Sequence, residues 1–383
     1  MATTRESLGT SERTAFPVDA DAVRVPRSAD RVAALALSLV DGVGPVTWRR
    51  WAFADGGADA SLRHRVGTAA RAHALDSARE AVARAERAGA TLLLACDDAY
   101  PRALSELPDP PPALWCLGDA SLLDPGRVRV ALVGTRTATA YGLRVADALA
   151  RDAAAARVVV VSGMARGIDA AAHTGALLAG GDTVAVLGSG VDVPYPRTHR
   201  ALHARIVRDG LVLAEALPGS PPTAGAFPRR NRIVAALSRA TVVVEAGLRS
   251  GALITAGLAL DLGRDVGAVP GPVDVAQAAG SNALLRDGAA VVAEPRDLLA
   301  LVGVQDVIPK VAAAPTPELD PVQRRVWSAL AEPAADLDLL ATRASLDVRA
   351  CAAAVGLLEA AGLLRTGYDG SIARCRVERS GAG

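Results

Sequence analysis

Residues Arg129–Gly163 read RVALVGTRTATAYGLRVADALARDAAAARVVVVSG. Two short, apolar, β-branched runs, RVALVG and RVVVVSG, bracket the alanine-rich segment GLRVADALARDAAA, which has the composition of a good helix former. Strands that are apolar along almost their whole length are covered on both faces, as in a parallel sheet with helices on each side. The unit recurs downstream. TVAVLGSG (183–190), LVLAEAL (211–217), TVVVEAG (241–247), DVGAVPG (265–271) and AAVVAE (289–294) follow, with helical segments such as GALITAGLALDLG between them. Repeated strand–helix–strand units predict an α/β fold, a Rossmann-like, doubly wound and mostly parallel sheet over residues 126–302.

The flanks differ. Residues 1–28 mix Thr, Ser, Arg, Asp and Pro without periodicity and are expected to be a disordered tail. RVAALALSLV, TWRRWAF after the DGVGP break, and DSAREAVARAERAG up to Gly89 predict a small helical domain over 29–95. Residues 96–125, with three consecutive prolines at 110–112, are expected to be an ordered linker. A second linker, 303–317, precedes PVQRRVWSAL, LDLLATRA and DVRACAAAVGLLEAAG, then two strands about an Asp369-Gly370 turn. Three helices and a hairpin predict a winged helix over 318–376, followed by a tail at 377–383.

Composition restricts the chemistry. The chain has 383 residues, and its formal net charge of +1 supplies no global basic field, so any nucleic-acid site has to be a local arginine cluster. Lys310 is the only lysine, which excludes mechanisms built on a P-loop lysine or a Schiff base and leaves Arg as the phosphate-gripping cation. Cys96, Cys116, Cys351 and Cys375 form no CxxC pair, against a zinc ribbon or a disulfide framework. His199 and His203 stand at i, i+4 but lack a third ligand at matching spacing, so no metal and no cofactor is expected. Neither a transmembrane-length apolar run nor a signal-peptide core is present, and the expected location is cytoplasmic, with no membrane partner.

In an open parallel sheet, ligands bind at the C-terminal ends of the strands, where loops lead into helix N-termini. The first such loop is Gly134-Thr135-Arg136, offering close backbone approach, a hydroxyl and a guanidinium fork; its spacing is not GxGxxG. The second is SGMARGIDAAAH, from Ser162 and Gly163 past Arg166 to His173; Asp169 is placed to cap a helix, and His173 to pack on the sheet. AGAFPRRNRIVAALSRA carries the strongest local signal: Arg229, Arg230 and Arg232 crowd a helix start, with Phe227 before them and Asn231 among them. Cations at a helix N-terminus oppose the macrodipole unless an anion arrives. A ring beside clustered arginines suits single-stranded nucleic acid, which needs a face for a base and forks for phosphates. VVVEAGLRSGALITAG then places Glu245 at a strand end before Ser250-Gly251; this carboxylate either pairs with the arginines or serves as an acid/base.

Taken in series, GTR with its downstream YG, SGMARGIDAAAH, AVLGSGVDVPYP, FPRRNRIVAALS, VVEAGLRSGALITA and AVPGPVD with AGSNALLRDGA resemble the DNA-processing protein A (DprA, or Smf) family. The resemblance implies a non-enzymatic homodimer that binds single-stranded DNA and loads the RecA recombinase during natural transformation. Carried over by position, Gly134, Arg136, Ser162, Gly163, Phe227, Arg230, Asn231 and Arg232 line the DNA pocket, beside Ser250 and Gly251, and Thr135 and Arg166 complete the set. The family's SG(S/T)LIT is SGALIT here, so Ala252 lacks the usual hydroxyl. DGVGPVTW resembles a helix–hairpin–helix turn, and the presumed recognition helix carries Arg349 as its only cation, which suits a protein contact better than operator reading. Two other functions compete: a nucleotide phosphoribohydrolase pairing Glu245 with Arg232, although EAGLRSG departs from that family's PGGxGTxxE loop, and a winged-helix transcriptional regulator.

Overall fold

The computed structural model describes residues 28–54, 56–304, 319–330, 334–360, 363–366 and 370–374. Of the expected tails and second linker, only Ser28, Gly303 and Val304 fall among these, and Asp369 lies outside the described residues.

Nine strands form one sheet: β1 (Thr91–Leu94), β2 (Ala113–Gly118), β3 (Arg129–Gly134), β4 (Val159–Ser162), β5 (Thr183–Leu187), β6 (Leu211–Ala214), β7 (Ala240–Glu245), β8 (Asp265–Ala268) and β9 (Ala290–Val291). Their order is β1-β2-β6-β5-β4-β3-β7-β8-β9. From β6 to β9 every pairing is parallel, while β2 runs antiparallel to β6 and β1 antiparallel to β2. The seven runs read as strands are β3 to β9, and the Rossmann-like, mostly parallel sheet is as expected. The chain travels outward from β3 to β6, then returns to lay β7 against the other side of β3. That reversal makes the C-terminal ends of β3 and β7 a topological switch point, where such sheets hold ligands.

Two expectations about the segments before β3 need correction. The proline-rich stretch is not merely a linker, because its ALWCLG run is β2, paired through Trp115 with Ala214 and Cys116 with Leu213. The prolines stop at Pro112, so no ladder donor is missing inside the strand. Nor do the N-terminal helices enclose a core of their own. Ser28–Ser38, Pro45–Ala52, Gly57–Arg65 and Thr68–Ala88 bury Leu35, Trp48, Leu62 and Ala78 in one cluster with Trp115 and Leu187 of the sheet and Ile206 of the Arg200–Asp209 helix. Trp48 completes that packing by donating its indole N–H to the Ala34 carbonyl at 2.8 Å.

The C-terminal unit has the expected winged-helix elements. Helices Pro321–Ala329, Leu337–Ala344 and Val348–Ala360 precede a hairpin, β10 (Leu364–Thr366) with β11 (Ile372–Arg374). Val326, Leu340, Cys351, Leu358 and Ile372 form its core. Asp320 opens the first helix with a capping box, accepting from the Val322 and Gln323 amides at 2.8 Å while Gln323 reaches back.

Candidate functional site

A cleft of ≈ 740 Å³ lies at the switch point, walled by the loops after β3, β4 and β7 and by the Ala226–Leu237 helix. One face of that helix supplies Phe227, Arg230, Asn231 and Val234. These positions are i, i+3, i+4 and i+7, the stripe that a 3.6-residue period aligns. Gly134, Thr135 and Arg136, Gly163 and the Ser250-Gly251 helix start complete the lining.

Arg230 is the centre of this arrangement. It is 7% exposed and donates to the Val186 carbonyl and, through Nε at 3.0 Å, to the Asn231 side-chain oxygen. Its carboxylate partner, Asp169, stands 3.8 Å away and is itself buried. Burial, chiefly, pushes the Asp169 carboxyl up from its usual range, against the pull of Arg230 and of the Ala165 and Gly163 amides that it accepts at 3.3 and 3.2 Å. Burial likewise lowers the Arg230 pKa, Asp169 opposes this, and Arg136 adds to it. The cleft thus contains a dehydrated guanidinium whose long ion pair neutralises it incompletely, and an arriving anion meets a strong local field.

The other contacts prepare the same surface. Arg136 is exposed and its guanidinium carbon sits 5.0 Å from the Phe227 ring centroid. Ser250 caps its helix by accepting from the Ala252 amide at 3.3 Å, and Asn231 Nδ2 donates to the Gly251 carbonyl at 3.4 Å. A Cβ added at Gly251 would meet nothing within 4 Å, so its backbone stays open to a ligand at a helix N-terminus. Gly134 and Gly163 are small for a different reason: side chains of the protein fill the space beside them, Ile168 at Gly134 and the Arg230 guanidinium at Gly163. Backbone approach by phosphate, expected at Gly134, is therefore better provided at Gly251.

Four sequence expectations are corrected by the geometry. Arg232 does not line the cleft; two residues from Arg230 on a helix, it faces the opposite way, where it binds Asp109 at 2.9 Å and Glu215 at 3.0 Å. Arg229 also pairs with Glu215, at 2.9 Å, so internal carboxylates meet much of the cationic charge that seemed to await an external anion. Ser162 is fully buried and donates to the Leu132 carbonyl at 2.6 Å, which ties β4 to β3 instead of facing a ligand. Glu245 neither pairs with an arginine nor stands free as an acid/base: its two oxygens accept from the Thr139 amide at 2.8 Å and hydroxyl at 2.6 Å, fixing the start of the Ala140–Ala155 helix.

Arg166 is exposed and opens on a small chamber adjoining the cleft. His173 packs against the sheet as expected, donating from Nδ1 to the Thr183 hydroxyl at 2.6 Å while that hydroxyl donates to the Val160 carbonyl at 2.7 Å. Burial pushes its pKa down to about 3, with Arg230 and His199 adding to the shift. His199 and His203 are engaged by the carbonyls of Met164 at 3.1 Å and Val191 at 2.7 Å. Among the described residues no group of His, Cys, Asp and Glu is arranged to hold a metal ion, and no helix is long and apolar enough to cross a membrane. Sequence reasoning passed over Asp169 as the partner of Arg230, and the exposed cation Arg249 at the cleft edge.

Comparison with known proteins places this geometry. The family model described as DNA recombination-mediator protein A matches residues 91–303, and a DprA winged helix domain matches residues 310–370. A Mycobacterium tuberculosis protein designated a DNA processing protein DprA is 46% identical over 277 residues, 71% of this chain and 70% of its own. The DNA processing protein DprA of Streptococcus pneumoniae is 43% identical over 204 residues, covering 53% and 71% of the two chains. The X-ray structure of DNA processing protein A from Streptococcus pneumoniae superposes with a TM-score of 0.60 at 33% identity, covering 70% of this chain and 95% of that one. A structure addressing the single-stranded DNA binding mode of DNA processing protein A from Helicobacter pylori superposes with a TM-score of 0.51 at 32% identity, over 55% and 94% of the chains. With both family models matched in order, a sheet of the same architecture and a basic cleft at its switch point, this chain belongs to the DprA family of DNA recombination-mediator proteins.

Proposed function

We propose that the cleft binds single-stranded DNA without catalysing a reaction on it, and that the protein, acting as a cytoplasmic homodimer, hands the strand to the RecA recombinase. The observation that carries the binding proposal is the buried Arg230, incompletely neutralised by Asp169, next to the Phe227 ring and the Arg136 fork. A fixed cation and an aromatic ring in one cleft serve a phosphate and its base together, and stacking contributes about 1–3 kcal/mol per base. Gly251 and the helix start it opens add backbone donors for a second phosphate. These groups grip features common to all nucleotides, so sequence preference is slight.

A non-catalytic role is supported by the commitment of both Glu245 oxygens to Thr139. The hydrolase alternative needs that carboxylate beside Arg232, whose own partners are Asp109 and Glu215. The regulator alternative needs a basic recognition helix, and Val348–Ala360 carries Arg349 as its cation. We read the winged helix as a protein-contact module.

The test is fluorescence anisotropy with labelled oligo-dT and with a duplex of equal length, across a salt series. Single-strand preference is expected, with log affinity falling by about 0.7 per neutralised phosphate per log unit of salt. Duplex preference moves the DNA site to the winged helix, and no binding to either rejects the proposal.

A further inference from the structure

In the winged-helix unit, carboxylates stand at helix starts. Asp336 accepts from the Leu339 amide at 2.8 Å and Asp347 from the Ala350 amide at 2.9 Å, as Asp320 does from Val322 and Gln323. The helix dipole favours negative charge there and positive charge at the opposite end. Arginines gather accordingly about the end of the Leu337–Ala344 helix. Arg343 lies in its last turn, while Arg325 donates from Nε to the Ala344 carbonyl at 3.0 Å and from Nη2 to the Ser345 carbonyl. Arg324, beside it in the chain, donates to the Leu319 carbonyl at 3.0 Å. Among the described residues neither Arg324 nor Arg325 pairs with a carboxylate, so these bonds fix the two guanidinium groups without neutralising them.

The arginines border an open groove of ≈ 660 Å³. Along the Pro321–Ala329 helix, Pro321, Arg324, Arg325 and Ser328 stand at i, i+3, i+4 and i+7 and form one exposed stripe. Arg343 and Ala344 line the groove from the second helix. No carboxylate and no aromatic ring is among the described residues that line it. Guanidinium forks around small side chains match carboxylates, which they grip bidentately. Nucleic acid fits the groove less well. A single strand needs a ring on which to stack its bases, and the neighbouring Trp327 is instead covered by Arg374, 4.4 Å from its ring centroid. A duplex reader places its cations on the recognition helix, whereas Arg324, Arg325 and Arg343 lie on the two helices before it.

Resting on the reading of the winged helix as a protein-contact module, we propose that this groove docks an acidic segment of a partner protein. Adjacent Asp or Glu side chains of that segment meet Arg324, Arg325 and Arg343. The charges are exposed, so each contact is weak and screened by salt, and the partner is readily released.

The experiment is fluorescence anisotropy on the full chain with a labelled deca-glutamate peptide. Wild type is compared with Arg324→Ala plus Arg343→Ala, with Arg230→Ala and with Arg349→Ala; Arg325 is left in place because it closes the second helix. Arg324 and Arg343 are exposed, and circular dichroism should show the double variant folded. Wild type should bind the peptide, more weakly as salt rises. The double variant should bind about 25-fold more weakly, roughly fivefold for each arginine, the upper range for an exposed charge pair. Arg230→Ala and Arg349→Ala, outside the groove, should match wild type, and saturating oligo-dT should leave the peptide bound. No binding by wild type, or equal binding by wild type and the double variant, overturns the acidic-segment proposal. The same double variant is then titrated with oligo-dT and with duplex. Unchanged DNA affinity supports the protein-contact reading, whichever way the peptide result falls. A loss of DNA affinity as large as the loss for the peptide makes the groove a nucleic-acid contact, and removes that reading and the proposal together.

Discussion

Gly163→Ala tests the seat of Arg230 without altering a charge. A methyl group on Gly163 would fall inside the van der Waals envelope of the Arg230 guanidinium, overlapping its central carbon and both terminal nitrogens. The guanidinium has to leave, giving up the Val186 carbonyl and its approach to Asp169. Asp169 is then a buried carboxylate held by two long amide bonds of 3.2 and 3.3 Å. Breaking a buried pair this way costs about 3 kcal/mol of stability, read as a lower midpoint in urea at unchanged slope. The DNA effect is separate: a lost charge-assisted phosphate contact is worth about 1.5–3 kcal/mol, or roughly 10- to 150-fold in affinity. Arg230→Ala should give a loss of the same order. It also vacates the space that the methyl needs, so Gly163→Ala with Arg230→Ala should bind no worse than Arg230→Ala alone. Anisotropy on the three variants, each at a urea-free temperature where circular dichroism shows it folded, decides the matter. Wild-type affinity in Gly163→Ala, or a double mutant whose loss is the product of the single ones, would refute the assignment of Arg230 as the anion seat.

Two further predictions concern residues that lie near the cleft without lining it. Arg232→Met should cost about 2–3 kcal/mol in urea unfolding, because Glu215 is left partly buried although Arg229 still holds it, yet the folded variant should bind oligo-dT like wild type; a selective loss of DNA affinity would put Arg232 back in the cleft. His173 is held neutral with a pKa near 3 against an ordinary 6.5, so the folded state binds the proton less tightly than the unfolded chain. Its contribution is therefore complete above pH 6.5 and lost as pH falls toward 3; at pH 5 the loss is about 2 kcal/mol. His173→Asn, compared with wild type at pH 7 and pH 5, should lack that part of the acid sensitivity; parallel profiles would contradict it.

How far the site was legible follows from the periods involved. Strands β3 to β9 are written locally, as apolar runs with helices between them, and a period is visible without knowing what packs on it. β2 was hidden because the prolines at 110–112 dominate its neighbourhood, although ALWCLG has the same apolar composition as the other strands. The arginine cluster shows the same limit at finer scale. Proximity in sequence joined Arg229, Arg230 and Arg232, whereas a helix separates neighbours and joins residues three and four apart. Phe227, Arg230, Asn231 and Val234 fall on one face and line the cleft, while Arg232 points to the other. Applied within the motif as well as between motifs, helical spacing would have divided the arginines correctly.

The partners of those arginines were not legible in the same way. Asp109 lies 123 residues from Arg232, and Asp169, in the first turn of the Ile168–Leu178 helix after β4, comes to Arg230 only because both line the cleft at the sheet edge. The topology therefore decides which arginine is paired closely with carboxylates and which stands at a longer distance from its one. Arg232 has two carboxylates at 2.9 and 3.0 Å, while Arg230, which lines the cleft, has one at 3.8 Å. That difference in pairing separates two comparably buried guanidinium groups, and it is the reason for proposing Arg230 and not Arg232 as the anion seat.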